Sequence, residues 1–390
     1  MGSAIPCHSH AMPNPCRLMF VVTEDWFFVS HFLSVAVAAR DAGYAVSVVT
    51  RVRSAELQRR IEAAGLTLIP SRHERGTFGI RALLTHVGWF MALFRRERPD
   101  IVHLVSIRLI VLAGLGAALA GRNRRVHAVT GMGLLGASRT GRARAARRAL
   151  AVVLKRLLGG RFVHTVFENR EDPKMLGFDP DGLQVTIVGG AGVDPERESE
   201  LPMPPPMPLR AAVVARMVRS KGIDVAVEAV RRARANGAAV ELSLYGVPDL
   251  DNPRAISAAD LQRWSDEPGI QWHGQSRDVR AVWRDHHVVC VPSRGGEGLP
   301  RSLLEGAAAG RAVLTTDTPG CATFVRDGIE GLLVPPDDPD ALARAFVALS
   351  RDPAAVVRYG KAARARILDG FTTQAVARDF LAVYRTLVSP

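Results

Sequence analysis

The chain has 390 residues, 47% of them apolar and 23% charged, and a formal net charge of +13. This length predicts two domains rather than one hydrophobic core, and the composition is that of a globular protein. The longest uncharged apolar run, Leu109 to Gly121, has 13 residues; it is too short to span a bilayer and suits a buried helix, so no integral membrane span is expected.

In chain order, residues 1–16 have neither a basic n-region nor an apolar h-region, so they do not read as a secretory signal. Myristoylation would want Ser or Thr where Pro6 stands. The stretch reads as a disordered tail, with Met12 or Met19 as alternative starts. Cys7, Cys16, Cys290 and Cys321 form no CxxC pair. A disulfide framework or zinc site is therefore not expected, and a reducing cytoplasm fits best.

"RLMFVVT" (17–23) predicts a short apolar strand, followed by a helix from about Ser30 to Ala42 that Gly43 stops, and "AVSVVTR" predicts a second strand. "DIVHLVS" (100–106), "RVHAVTG" (125–131) and "FVHTVFEN" (162–169) read as further buried strands alternating with helices. That alternation predicts a parallel, doubly wound sheet over residues 17–200. Within it, residues 139–161 hold eight Arg or Lys and no acid. Leu150, Val153, Leu154, Leu157 and Leu158 recur there at helical spacing, with Arg147, Arg148, Lys155 and Arg156 mostly elsewhere on the wheel. Two readings stand: a surface helix docked by its apolar stripe, or a helix resting on anionic lipid or an anionic acceptor. No aromatic interleaving or known motif supports nucleic acid as a partner.

"LPMPPPMPL" (201–209) cannot be helical and reads as an extended linker. The strand–helix alternation then restarts over residues 210–371, with "RAAVVAR", "VELSLYG", "IQWHG", "HHVVCVPS", "AVLTTD" and "GLLVPP" as strands. Residues 372–390 close the chain with an amphipathic helix. The fold class expected is α/β, two Rossmann-like doubly wound domains facing each other across a cleft. Ligands of such sheets bind beyond the carboxyl ends of the strands.

Candidate chemistry lies at those ends. In "ARMVRSKG", Arg216 follows a strand and Lys221 precedes a helix. A forked guanidinium, a point charge and a helix N-terminus together make a diphosphate cradle. An ordinary basic loop is the alternative. In "RGGEGLPRSLLEG" (294–306), Pro300 is placed as the first helical residue, so Glu297 precedes the helix and Glu305 lies in its second turn. The N–H groups of Gly298, Leu299, Arg301 and Ser302 are then free to meet an anion, and the glycines let the backbone approach a ligand. Glu305 can accept from vicinal hydroxyls such as those of a ribose, and Glu297 can reach a sugar. The alternative is a helix favoured by Glu297 at its start, with Glu305 solvated.

The stretch from Glu297 to Glu305 resembles the E-x7-E motif of the glycosyltransferase family four enzymes, which are retaining, nucleotide-sugar-dependent transferases of the GT-B fold. The similarity continues through residues 310–345, and "RMVRSKG" resembles the family's diphosphate-binding loop. "YGVPDLDNPRAIS" (245–257) and "TEDWFFVSH" (23–31) resemble a branch acting on polyprenyl-diphosphate-linked glycans in bacteria. The resemblance covers about residues 17 to 388. It implies that Arg216 and Lys221 hold the diphosphate, that Glu305 takes the ribose hydroxyls, and that Glu297 contacts the donor sugar with the Gly298 and Leu299 amides beside it. It implies a UDP-linked nucleotide-sugar donor and a lipid-linked glycan acceptor at the inner membrane face, where the basic segment would make peripheral contact with anionic lipid. It implies that the last helix crosses back onto the first lobe.

Two positions depart from the family pattern. "TEDWFFVSH" replaces a glycine-rich loop, and "AVTGMGLLG" offers Thr130 and Gly131 where many members place a first-lobe His. Glu24, Asp25, His31 and Thr130 are the acceptor-side candidates, each also readable as a cap, core polar group or turn residue. The Asp179/Asp181, Asp249/Asp251 and Asp338/Asp340 triplets could hold a metal on a diphosphate, but Arg216 and Lys221 already supply positive charge, so no metal or other cofactor is expected. The alternatives in other functional classes are a non-catalytic nucleotide binder, a basic nucleic-acid binder, and a sugar-nucleotide epimerase of the same fold.

Overall fold

The computed structural model describes residues 15–71, 79–138, 140–249 and 251–389. Cys7 and nearly all of the expected N-terminal tail lie outside the described residues.

The first lobe is a seven-stranded sheet in the order β3-β2-β1-β4-β5-β6-β7. Its strands are β1 (Arg17–Glu24), β2 (Ala45–Arg51), β3 (Thr67–Pro70), β4 (Ile101–Val105), β5 (Arg125–Val129), β6 (Val163–Phe167) and β7 (Val185–Ile187). The second lobe is a six-stranded sheet in the order β10-β9-β8-β11-β12-β13. It comprises β8 (Leu209–Val214), β9 (Val240–Tyr245), β10 (Ile270–Gly274), β11 (Val288–Val291), β12 (Ala312–Thr316) and β13 (Gly331–Val334). Every strand pair in both sheets is parallel. Both lobes therefore have the doubly wound form that the alternation of strands and helices implied.

The cores follow from the two-residue period of a strand. Along β1, Leu18, Phe20 and Val22 face one cluster, while Met19 and Val21 face another on the opposite side of the sheet. Along β8, Leu209, Ala211 and Val213 pack on one side and Ala212 on the other. Each sheet is thus covered on both faces, as all-parallel sheets require.

In each sheet the strand order reverses between two adjacent strands, β1/β4 and β8/β11. At such a switch point the connections leave to opposite sides and open a crevice at the strands' carboxyl ends. The loops after β8 and β11 flank the crevice of the second lobe and carry Arg216–Lys221 and Ser293–Glu297.

Three local expectations need correction. The first helix starts at Asp25 rather than Ser30 and breaks at Phe32, giving helices Asp25–His31 and Leu33–Asp41. Asp25 favours the helix start by lying in its first turn, and the buried rings of Phe28 and Phe32 fix the turn onto β1. Pro300 lies one residue outside helix Arg301–Ala308, with ψ at 124°, so it caps the helix instead of opening it. In the basic segment, helix Gly141–Val152 runs into a π-helical turn, Val153–Leu157. The wider turn breaks the regular stripe: Leu154 and Leu158 are buried, but Leu157 is 63% exposed.

The proline-rich run is laid against the second lobe. Arg311, fully buried, donates to the carbonyls of Leu201 (3.0 Å) and Pro202 (2.8 Å), and His287 Nε2 meets the Pro205 carbonyl at 2.8 Å. The chain crosses between lobes just before it, where Val193 pairs with Phe371 and Thr373 through backbone hydrogen bonds of 3.0 and 2.9 Å. The last helix, Thr373–Val388, packs into the first-lobe core through Val376, Phe380, Val383, Tyr384 and Leu387. The Tyr384 hydroxyl meets His103 Nδ1 at 2.7 Å in the core, so the final helix is tied to β4.

Candidate active site

The loops after β8 and β11 are joined before any ligand enters. Arg294 N donates to the Ser220 carbonyl at 2.9 Å, and its guanidinium forks onto Asp224 at 2.7 and 3.0 Å. Gly222 sits in the left-handed region at φ +68°, and a Cβ there would collide with the Pro292 carbonyl. Glycine is needed at this position for two reasons, conformation and close approach.

This zipper brings Lys221 onto Glu297. The ammonium contacts Glu297 Oε2, and Ser293 Oγ donates to Oε1 at 2.7 Å. Burial alone would raise the Glu297 carboxyl, but Lys221, Ser293 and Arg216 outweigh it and hold it below the ordinary glutamate value. Glu297 is therefore an ionised carboxylate facing two cations. Arg216 is close enough to act on it electrostatically and is itself ion-paired with Asp249. Helix Arg301–Ala308 points its N-terminus at the same crevice, and its first turn leaves backbone N–H groups without intrahelical partners. Two cations and a helix start can hold an anion, and the carboxylate beside them can accept from hydroxyl groups.

Two family models match the chain in succession. One, described as glycosyl transferase 4-like, covers residues 17–157; the other, glycosyl transferases group 1, covers residues 209–352. The chain belongs to these glycosyl transferase families. A putative colanic acid biosynthesis glycosyltransferase from Salmonella typhimurium is 30% identical over 55% of this chain and 53% of its own. An amylovoran biosynthesis glycosyltransferase from Erwinia amylovora is 28% identical over 54% of this chain and 53% of its own. The alignment with these curated relatives thus spans about half their length. The fold is shared with the Anabaena HepE protein crystallised with UDP and glucose, at a TM-score of 0.73 and 14% identity over 95% of this chain and 100% of that one. Both lobes therefore have the GT-B arrangement.

The residues singled out from sequence fall into three groups. Arg216, Lys221 and Glu297 come together as described. Glu305 lies further along the same helix, 13% exposed, and accepts from Arg301 Nε at 2.6 Å. The amides of Gly298 and Leu299, expected to be free, are taken by the first lobe: Gly298 N donates to the Thr130 carbonyl at 3.2 Å and Leu299 N to Glu168 Oε2 at 2.8 Å.

Among the acceptor-side candidates, His31 and Thr130 reach the cleft. They line one cavity together with Glu168, Gly190 and Phe380. Burial, then the nearby Arg301 and Lys221, push the His31 imidazole down to about 3, so it is neutral at physiological pH. Ser30 Oγ meets His31 Nδ1 at 2.6 Å, and Phe27 stacks on the ring at 4.0 Å. Glu24 and Asp25 are engaged in holding structure. Glu24 pairs with Arg51 and Arg53, while Asp25 accepts from the Arg53 and Ser54 amides at 2.7 and 3.1 Å. Arg53 also bridges the lobes, with Nη2 3.2 Å from Asp251.

All three aspartate triplets are engaged. Asp249 and Asp251 pair with Arg216 and Arg53; Asp181 pairs with Arg170 and Asp179 accepts its amide. Asp338 caps a helix and Asp340 pairs with Arg232. Among the described residues no group of three or more His, Cys, Asp or Glu forms a metal-binding cluster.

Sequence reasoning missed Glu168. It is buried just beyond the end of β6, and burial pushes its carboxyl up to about 7, with Asp172 and Glu297 adding to the rise and the Leu299 hydrogen bond opposing it. In "FVHTVFENRED" nothing but its place at a strand end marks it.

Proposed function

We propose that the protein is a retaining glycosyltransferase that moves a hexose or N-acetylhexosamine from a nucleotide sugar, with UDP as the nucleotide, to a saccharide carried on polyprenyl diphosphate. The product would enter assembly of a bacterial surface polysaccharide. The observation that carries this reading is the convergence of Arg216, Lys221 and Glu297 at the second-lobe switch point, beside the start of the helix that bears Glu305. The printed names of the curated relatives, which refer to colanic acid and amylovoran biosynthesis, support the polysaccharide assignment. The UDP and glucose named for HepE support the donor class.

In the proposed reaction the bond from the sugar's anomeric carbon to the β-phosphate oxygen breaks, and its electron pair stays on the phosphate. Arg216, Lys221 and the helix N-terminus stabilise that charge by dipoles and cations already in place. The acceptor hydroxyl attacks the anomeric carbon from the face being vacated, and its proton passes to the departing phosphate oxygen. Glu297, ionised, accepts from donor-sugar hydroxyls and offsets positive charge on the sugar ring. Glu305 accepts from the ribose, which requires Arg301 to share or release it. Closure of the lobes excludes water that would hydrolyse the donor. Positive charge for the leaving group comes from side chains, so the proposal includes no metal or cofactor.

The acceptor's lipid places the reaction at a membrane face. Arg142, Arg144, Arg148 and Arg156 are exposed along the segment that also exposes Val152 (57%) and Leu157 (63%). A basic surface with apolar residues among the charges fits peripheral contact with anionic lipid. Among the described residues no helix is long and apolar enough to cross a membrane.

The test is incubation with a panel of UDP-sugars and polyprenyl-diphosphate-linked saccharides, read by product mass. A mass gain of one sugar on the acceptor is expected. Binding of UDP without transfer to any acceptor would favour a non-catalytic nucleotide binder, and an altered sugar nucleotide formed without acceptor would favour an epimerase.

A further inference from the structure

The Gly296–Leu299 loop of the second lobe is fixed to the first lobe by three hydrogen bonds. Gly133 N donates to the Gly296 carbonyl at 2.6 Å, Gly298 N to the Thr130 carbonyl at 3.2 Å, and Leu299 N to Glu168 Oε2 at 2.8 Å. Only the last uses a side chain, and that side chain is ionisable and 7% exposed. The fit allows no slack, because a Cβ on Gly298 would collide with the Glu168 carboxyl group. Glu297 lies in the middle of this loop. Whatever sets the loop's distance from the first lobe also sets the distance from Glu297 to anything the first lobe presents.

We propose that Glu168 is a positioning residue: by accepting the Leu299 N–H across the lobe boundary, it holds the loop that carries Glu297 at the separation from the first lobe at which acceptor and donor meet. This rests on the transferase reading above, and it assigns a role to a residue that the E-x7-E motif does not contain.

The surroundings make this contact sensitive to protonation. Asp172, from the helix Glu171–Met175, and Glu297, from the loop itself, both disfavour a charge on Glu168. His31, in the same cavity, is held neutral, and Lys221 is committed to Glu297. Asn169 Nδ2 donates to Asp172 Oδ2 at 2.9 Å. A protonated Glu168 still accepts through its carbonyl oxygen, and ionisation makes that bond charge-assisted while adding a third carboxylate charge to the cleft. The Leu299 N–H donates to the carboxyl and holds its value down, so by linkage the bond strengthens as Glu168 ionises with pH rising through about 7.

Two independent measurements on the full chain test the assignment. Hydrogen–deuterium exchange of a peptide covering Gly296–Ser302 reads the Leu299 amide directly. Exchange is expected to be slow in the wild type and at least about tenfold faster in Glu168→Ala, in line with loss of one charge-assisted hydrogen bond. Glu168→Gln, which keeps an accepting oxygen at the same length, should restore most of the protection. Should Glu168→Ala fail to fold, Glu168→Asp withdraws the carboxyl group by one methylene and should expose the amide likewise. Steady-state transfer is the second arm. Glu168→Ala should lower kcat about 10- to 100-fold while the Kd for UDP stays within about twofold, and Glu168→Gln should regain at least tenfold of that loss. Protection of the Leu299 amide, relative to the intrinsic exchange rate, should rise as pH passes through about 7 in the wild type and stay flat in Glu168→Gln.

Unchanged exchange in Glu168→Ala, or wild-type kcat in that variant, overturns the assignment. If the wild type transfers no sugar while the Leu299 amide still responds to Glu168→Ala, the transferase reading fails and the interlobe contact stands.

Discussion

At the scale of single residues, charge is balanced in pairs that an anionic ligand would have to reorganise. Lys221 faces Glu297, Arg216 faces Asp249, and Arg301 faces Glu305. A diphosphate would compete with these carboxylates for the first two cations. Lys221→Ala should therefore lower kcat/KM for transfer by at least about 100-fold, the scale of losing a preorganised charge at the leaving group; an intact rate in steady-state assays would mean that the cradle lies elsewhere. Glu305→Ala should weaken UDP about 10- to 100-fold, since each charge-assisted hydrogen bond is worth roughly 1.5–3 kcal/mol. Calorimetry reads this directly, and unchanged affinity would remove the ribose role. The spacing of Glu297 and Glu305 was legible in the sequence because both lie in one continuous segment at a helix start. Glu168 was not, because its partner Leu299 lies 131 positions away and a glutamate after a strand carries no periodic or motif signal. The same reason hides the occupation of the Gly298 and Leu299 amides, whose acceptors belong to the other lobe.

At the scale of elements, strands β4 and β5 each bury a histidine in the first-lobe sheet. Burial pushes His103 and His127 down to about 3, with His127 acting on His103 and Arg125 acting on His127. Both imidazoles are neutral when folded, while the unfolded chain takes up protons below its ordinary value of 6.5. A depressed histidine value means that stability is present above 6.5 and is lost as pH falls towards 3. Thermal unfolding should accordingly show a falling Tm from pH 7 to pH 4.5, with a shallower fall in His127→Leu. An identical slope in that variant would contradict the assignment. The basic segment makes a separate prediction. Replacing Arg142, Arg144 and Arg148 by Gln should reduce sedimentation with vesicles containing anionic lipid, and the wild-type binding should weaken with salt as Debye screening requires. Binding that ignores both salt and these substitutions would exclude an electrostatic contact. The strands and their alternation with helices were readable from the hydrophobic pattern, but the strand order and the π-helical turn at Val153–Leu157 were not. A regular wheel assigns Leu157 to the buried stripe, and one extra residue in a turn is a packing outcome that local sequence does not encode.

At the scale of the whole molecule, the contacts that hold the lobes include, among the described residues, the Gly296–Leu299 loop on Thr130, Gly133 and Glu168, the Arg53–Asp251 pair, and the last helix seated on the first-lobe core. The loop contacts and the ion pair are polar. The last helix buries Phe380 and Tyr384 and stays with the first lobe. The two-lobed plan was legible because each half repeats the strand–helix alternation. How closely the lobes meet was not, since that depends on side chains brought together from distant parts of the chain. The central claim is that the crevice between β8 and β11 holds a nucleoside diphosphate. A crystal structure with UDP tests it most directly. The diphosphate is expected within hydrogen-bonding distance of Arg216, Lys221 and the N-terminus of helix Arg301–Ala308, with the ribose on Glu305 and Lys221 turned from Glu297 towards phosphate. UDP bound at any other surface, or an empty crevice at saturating UDP, would contradict the account.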